Sequence, residues 1–245
     1  MKRPILTTAA LGGSALVGLA GEVLYTGFRD LPRFEGDDPS GTFGTPNLPP
    51  LRIAVLGDSS CTGPGLDDPD DIWVRRIGVH FGGRFHTVID SVAVGGSRAS
   101  DVLRDQVPMI VSTSPDVALV SVGSNDMLYG VPLRSFERNL ESIVTRLLSC
   151  TPAVLLSGVG DLGTIPRLPF ALTRIMRWRS TRAEAVHAAV ASRHAGATKM
   201  PTRQLCGDAF DDPSIYCADL LHVNGEGHRL WAEAAIPWIE AALPG

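Results

Sequence analysis

Leu51-Arg52-Ile53-Ala54-Val55-Leu56-Gly57-Asp58-Ser59 is the stretch from which the architecture can be read. An apolar run stops at a glycine, and two small polar residues follow. A short continuous apolar run rich in branched side chains is the mark of a strand covered on both faces, as in a parallel sheet. Three further runs share the pattern: Val88–Val94, Val117–Val122 and Ala153–Leu156. The segments Asp71–Phe81, Ala99–Ile110, Leu133–Leu148, Arg182–His194 and Gly225–Leu243 instead carry apolar residues at spacings of three and four, which predicts helices. Strands alternating with helices imply right-handed βαβ units, hence a doubly wound α/β sheet with helices on both faces. One such domain is expected over residues 51–245.

Working outward, the composition is that of a globular chain. Its 245 residues suffice for one α/β domain, and 44% apolar with 20% charged residues excludes disorder and coiled coil. The formal net charge is −4, lysine occurs only at Lys2 and Lys199, and no Lys/Arg-dense face is visible, which argues against nucleic acid as a partner. Residues 1–28 begin with Lys2 and Arg3 and continue with sixteen uncharged residues, Ile5–Ala20. That order reads as a signal peptide or a membrane anchor, so the protein is expected to be exported, either secreted or held at the outer face of the cytoplasmic membrane. A weak, glycine-interrupted N-terminal helix is the alternative. Residues 29–50, rich in Pro, Gly and Asp, read as a linker. Of the cysteines, Cys206 and Cys217 bracket a short polar loop where an exported protein could form a disulfide, two free thiols being the other reading. Cys61 and Cys150 belong at opposite ends of the sheet, beyond disulfide reach.

In a doubly wound sheet, ligands bind beyond the carboxyl ends of the strands. Three clusters fall there: Gly57-Asp58-Ser59, Gly95-Gly96-Ser97 and Gly123-Ser124-Asn125-Asp126. Ser59 read alone suits a helix N-cap. As a nucleophile it needs a base, and the base needs a carboxylate to orient it. Asp219-Leu220-Leu221-His222 supplies both, because a three-residue spacing lets the carboxylate turn back onto the imidazole. A developing oxyanion needs donors. The Ser59 N–H, the Gly96 N–H and the Asn125 amide suit that role, with Gly95 a rival to Gly96 and Ser60 a rival to Ser59. Asp58 and Asp126 are read as ordering their turns. His228 is expected at the exposed start of the last helix.

These four blocks, Gly57-Asp58-Ser59, Gly96, Gly123-Ser124-Asn125-Asp126 and Asp219-x-x-His222, resemble those of SGNH/GDSL hydrolases over about residues 51–243. The resemblance implies a flavodoxin-like sheet and a serine hydrolase cleaving lipid, short-chain or acylated-sugar esters. It implies Ser59, His222 and Asp219 as the triad, Ser59, Gly96 and Asn125 as oxyanion donors, and neither a cofactor nor a metal. Ser91 and Val223 stand where the family often has Asn and Pro. The same triad would serve an acyltransferase or thioesterase. A flavodoxin-like binding module without turnover is the reading from another class, though no phosphate-binding glycine motif follows a strand.

One segment stands apart. Ile165–Arg182 mixes Leu168, Phe170, Ile175, Met176 and Trp178 with five arginines. It reads either as a lid or acyl-chain wall that also meets anionic lipid, or as a helix packed on the sheet with a solvated arginine face. The expected partners are therefore a small-molecule or lipid ester and a membrane surface.

Overall fold

A computed structural model describes residues 30–243. The export segment expected over residues 1–28 lies outside the described residues. Six strands form one sheet: β1 (Gly41–Phe43), β2 (Pro50–Gly57), β3 (His86–Ser91), β4 (Val117–Ser121), β5 (Ala153–Leu156) and β6 (Ala197–Lys199). Their order is β1-β3-β2-β4-β5-β6, with β1 antiparallel to β3 and every other pair parallel. The five parallel strands thus follow the flavodoxin order, with the topological switch between β2 and β4.

The apolar runs are buried on both faces, and their alternate residues serve different cores. Ala54 and Leu56 of β2 face one cluster, together with Ala118 and Val120 of β4 and Val154 and Leu156 of β5. Leu51, Ile53 and Val55 face the other, with Leu119 and Leu155. The first face is covered by α6 (Leu133–Leu147) and α7 (Phe170–Ala191), the second by α2 (Trp73–Gly82) and the last helix, Gly225–Ala242. Along α6 the buried residues are Phe136, Leu140, Ile143, Val144 and Leu147, the three-and-four spacing expected from the sequence. Each fully buried side chain of this size contributes roughly 1.5–3 kcal/mol relative to exposure.

Several expectations change. The stretch read as a linker supplies the edge strand β1, and Phe43 lies so close to Gly78 that a Cβ there would sit 2.4 Å from its ring. Three residues are too few to show a pattern. The same holds for β6. The predicted helix 99–110 is three short pieces, Ala99–Asp101, a π-helical turn Val102–Gln106, and Val107–Ile110. Pro108 has no N–H to continue a regular α-helical ladder there. Ile165–Arg182 from Phe170 onward and the predicted helix from Arg182 merge into α7, a 22-residue helix. Cys206 and Cys217 are free thiols rather than a disulfide: Cys206 Sγ donates to Leu230 O and Cys217 Sγ to Gly65 O, so the two point to different parts of the chain.

Candidate active site

The turn after β2 is set by steric necessity at Gly57. A Cβ at this position would lie 2.1 Å from Ser121 O, so the backbones of β2 and β4 could not approach as they do. Asp58 N then donates to that same Ser121 O at 3.1 Å. Asp58 is the N-cap of the short helix α1 (Ser59–Thr62), its carboxylate accepting from Ser60 N at 2.9 Å. The capping role considered for Ser59 is therefore filled by Asp58, and the Ser59 hydroxyl is left for other work. Burial pushes the Asp58 carboxyl above its usual range, opposed by the hydrogen bonds from Ser60 and Asn125.

On the other side of the crevice, the chain before the last helix folds into a tight loop. Tyr216 and Val223 form an isolated antiparallel bridge, Cys217 N donates to His222 O at 2.7 Å, and Leu220 takes a left-handed φ of 59°. Asp219 is buried and acts twice. Its Oδ1 accepts from the Leu221 and His222 backbone N–H groups, each at 3.0 Å. Its Oδ2 lies 2.6 Å from His222 Nδ1. Anchoring the carboxylate to the backbone of the residue it orients fixes the ring, and the Nδ1–H bond to Asp219 leaves Nε2 unprotonated as an acceptor. His222 Nε2 lies 3.2 Å from Ser59 Oγ. Two groups 163 positions apart in sequence are thus hydrogen-bonded.

Gly96 follows β3 with φ of 80°, a left-handed conformation, and its face toward the crevice is open. Neither its N–H nor that of Ser59 has an acceptor among the described residues, so both are available to a ligand oxygen. Asn125 is placed differently from a free donor: its Nδ2 donates to Ser97 O at 3.1 Å and to Asp58 Oδ2 at 3.3 Å, which occupies both hydrogens. Ser60, the rival hydroxyl, turns away to Ser121 Oγ at 2.8 Å, and Ser121 is bonded in turn to Ser157 at 2.8 Å. Burial pushes the Cys61 thiol strongly up, which suppresses the thiolate a competing nucleophile would need.

Three buried polar groups support the site: Gln106, which sequence reading passes over, Asp126, read as ordering its turn, and His228, expected to be exposed. Gln106, on the π-helical turn, is a buried clamp: its Oε1 accepts from Gly57 N at 2.8 Å while its Nε2 donates to Gly57 O at 2.9 Å and Ser97 Oγ at 3.1 Å. One amide thereby joins the loops carrying Ser59 and Gly96. A polar residue on the apolar side of the 99–110 helix was its only signal. Asp126 performs a similar task, accepting from Ala99 N at 2.9 Å, and burial raises its carboxyl to about 6. His228 is the third. It is buried rather than exposed at the helix start, and its Nδ1 accepts from Trp73 N at 3.2 Å. Desolvation, helped by the Arg76 charge, pulls its pKa down to about 3 and keeps it neutral.

Ser59, His222, Gly96 and Asn125 open onto a cavity of about 570 Å³ whose lining also includes Ile165, Phe210 and Trp231. Phe210 stacks on Trp231 with centroids 5.6 Å apart. The size and apolar lining suit a small organic ligand with a hydrophobic part. Phe34, from the stretch read as linker, also lines it. Among the described residues no three His, Cys, Asp or Glu side chains gather as a metal site would.

Comparison with known proteins adds an independent line. Residues 55–230 match the model of the GDSL-like lipase/acylhydrolase family. A GDSL-like esterase of Mycobacterium tuberculosis is 25% identical over 201 residues, which cover 79% of this chain and 63% of the relative. The chain thus spans somewhat less than two thirds of that protein's length. Among solved structures, TesA superposes with a TM-score of 0.66 at 18% identity, covering 79% of this chain and all of the other. A catalytic mutant of Axe2, an acetylxylan esterase from Geobacillus stearothermophilus, also gives a TM-score of 0.66 at 15% identity, covering 80% and 96%. These structures share the fold.

Proposed function

The chain belongs to the GDSL-like lipase/acylhydrolase family, and on that premise we propose that it hydrolyses carboxylic esters through an acyl-enzyme on Ser59. The observation that carries this reading is the hydrogen-bonded series Asp219 Oδ2–His222 Nδ1 at 2.6 Å and His222 Nε2–Ser59 Oγ at 3.2 Å, opening onto the cavity. His222 Nε2 takes the Ser59 proton as Oγ bonds to the ester carbonyl carbon. The carbonyl π electrons move to oxygen, and the Ser59 and Gly96 N–H groups receive that oxyanion. Asn125 joins them by releasing its longer bond, the one to Asp58. Collapse expels the alkoxide, which takes the proton from His222. Water then attacks the acyl-enzyme with His222 again as base, releasing the acid and restoring Ser59. His222 must be unprotonated to begin each half-reaction. The exported location read from residues 1–28 belongs to the same proposal.

Fluorophosphonate labelling combined with a p-nitrophenyl ester assay tests it. The full chain should label once and turn over ester, while Ser59→Ala should lose the label and at least about 10⁴-fold of kcat, as removal of a triad member does. Labelling that persists in Ser59→Ala, or maps to Ser60, would sink the proposal.

A further inference from the structure

From Phe170 to Arg182, α7 presents a face that the core does not use. Ala171, Arg174, Ile175, Trp178 and Arg182 are all exposed and recur at helical spacing, so they share one side of the helix. Phe170, at its start, is 82% exposed, Ile175 49% and Trp178 54%. Large apolar groups left in water at this density, on one helix, mark a contact surface. The charges between them are all positive. Arg174 and Arg182, with Arg167 just before the helix, have no carboxylate partner among the described residues, and the Arg182 guanidinium lies 5.7 Å from the Trp178 ring centroid. The nearby acids are already engaged: Asp161 by Arg177 and Arg203, Glu184 by Lys199 inside the fold. A chain of net charge −4 has therefore gathered unpaired arginines and exposed aromatics on one face.

The segment just before this face lines the cavity. Leu162 and Ile165, which line it, lie on the segment leading into α7. Tyr129 lines it too and is 73% exposed. The loop carrying Tyr129 is tied to α7 by Arg179, which donates to Met127 O at 2.8 Å and Val131 O at 2.7 Å. We propose that this face docks on an anionic lipid surface and delivers the cavity mouth to esters held there. The proposal rests on the reading of the cavity as an ester site, and on one further piece of chemistry. Alternating cationic and aromatic or aliphatic side chains on one helical face match a layer of anionic headgroups above hydrocarbon. An acidic protein would satisfy the arginines but would not supply the hydrocarbon that the apolar lining accepts.

Trp178 makes a local test feasible, because it is the one exposed tryptophan of the four. The full chain would be mixed with vesicles of phosphatidylglycerol or phosphatidylcholine carrying brominated acyl chains, and tryptophan quenching followed. Every variant keeps residues 1–28, so lipid affinity from that segment is common to all. Quenching should occur with phosphatidylglycerol, disappear in Trp178→Phe, and need at least tenfold more lipid in the Arg174→Glu/Arg182→Glu variant. That double variant should hydrolyse soluble p-nitrophenyl butyrate as the unaltered chain does, yet lose at least fivefold on an ester presented in the anionic vesicles. Quenching that is equal with both lipids, or unchanged in Trp178→Phe or in the double variant, overturns the docking face. Capture by soluble polyglutamate in place of vesicles overturns it in favour of an acidic protein. Vesicle binding with no turnover of any ester would instead count against the hydrolase reading, since Ser59→Ala should still bind lipid.

Discussion

The turn that carries Ser59 lines the cavity, the first turns of α7 follow the segment that lines it, and the two are built on opposite terms. Around the turn buried hydrogen bonds join one loop to the next and leave the Ser59 and Gly96 N–H groups for a ligand: Gln106 holds both backbone groups of Gly57, Asp58 caps the helix, and Asp126 ties the neighbouring loop through Ala99. On α7 the aromatic and cationic groups project into solvent, with Phe170 at 82% exposure. A reacting hydroxyl must keep its distance from its base, and buried hydrogen bonds provide that because losing one leaves an unsatisfied group in a low dielectric. A surface that meets an extended partner needs exposure instead. The molecule separates the two demands by assigning them to different elements.

The sharpest way to break this contrast is to remove the clamp. Gln106→Leu leaves the buried N–H of Gly57 without a partner, at about 1–3 kcal/mol, while Gly57 O keeps the Val94 N–H. We expect a loss of about 2–3 kcal/mol by denaturant unfolding and, in the protein that remains folded, a lower kcat with little change in KM. An undiminished kcat would show that the turn holds itself.

A second effect is expected behind the crevice. His228 titrates near 3 in the fold against about 6.5 in the unfolded chain, so the unfolded state binds a proton that the folded state refuses. Its contribution is complete above pH 6.5 and is lost as pH falls toward 3. Asp126, raised from 3.8 to about 6, acts with opposite sign, its contribution falling as pH rises across that interval. The two partly cancel, so the difference between the unaltered chain and a variant is the informative quantity. His228→Asn keeps an acceptor for Trp73 N without the titration. Between pH 6.5 and pH 4 it should lose about 2–3 kcal/mol less than the unaltered chain. Parallel curves would refute the assignment.

The smallest effect belongs to the rim. Phe170→Ser removes an exposed ring that supports no core, and thermal unfolding should shift by less than about 0.5 kcal/mol. A larger loss would mean that the ring packs against something in solution.

Much of this arrangement is legible in the chain. The four apolar runs mark four of the six strands, and the small polar residues after them mark the loops that converge at the switch between β2 and β4. The two missed strands have three residues each, too few for periodicity to register. Ser59, His222 and Asp219 stood out because their chemistry and local spacing are unusual. Gln106 and His228 did not, because nothing in a single sequence distinguishes a buried polar side chain with partners from an exposed one without.

Local patterning is a property of neighbours along the chain, so the sequence by itself determined four of the six strands, the long helices and the short-range pairing of Asp219 with His222. Whether Ser59 reaches its base, whether Asn125 is free, whether Cys206 meets Cys217 and which way Trp178 faces depend on groups tens to hundreds of residues distant. Only packing the layers together fixes those separations, and it did so by burying the polar groups that bind one loop to the next.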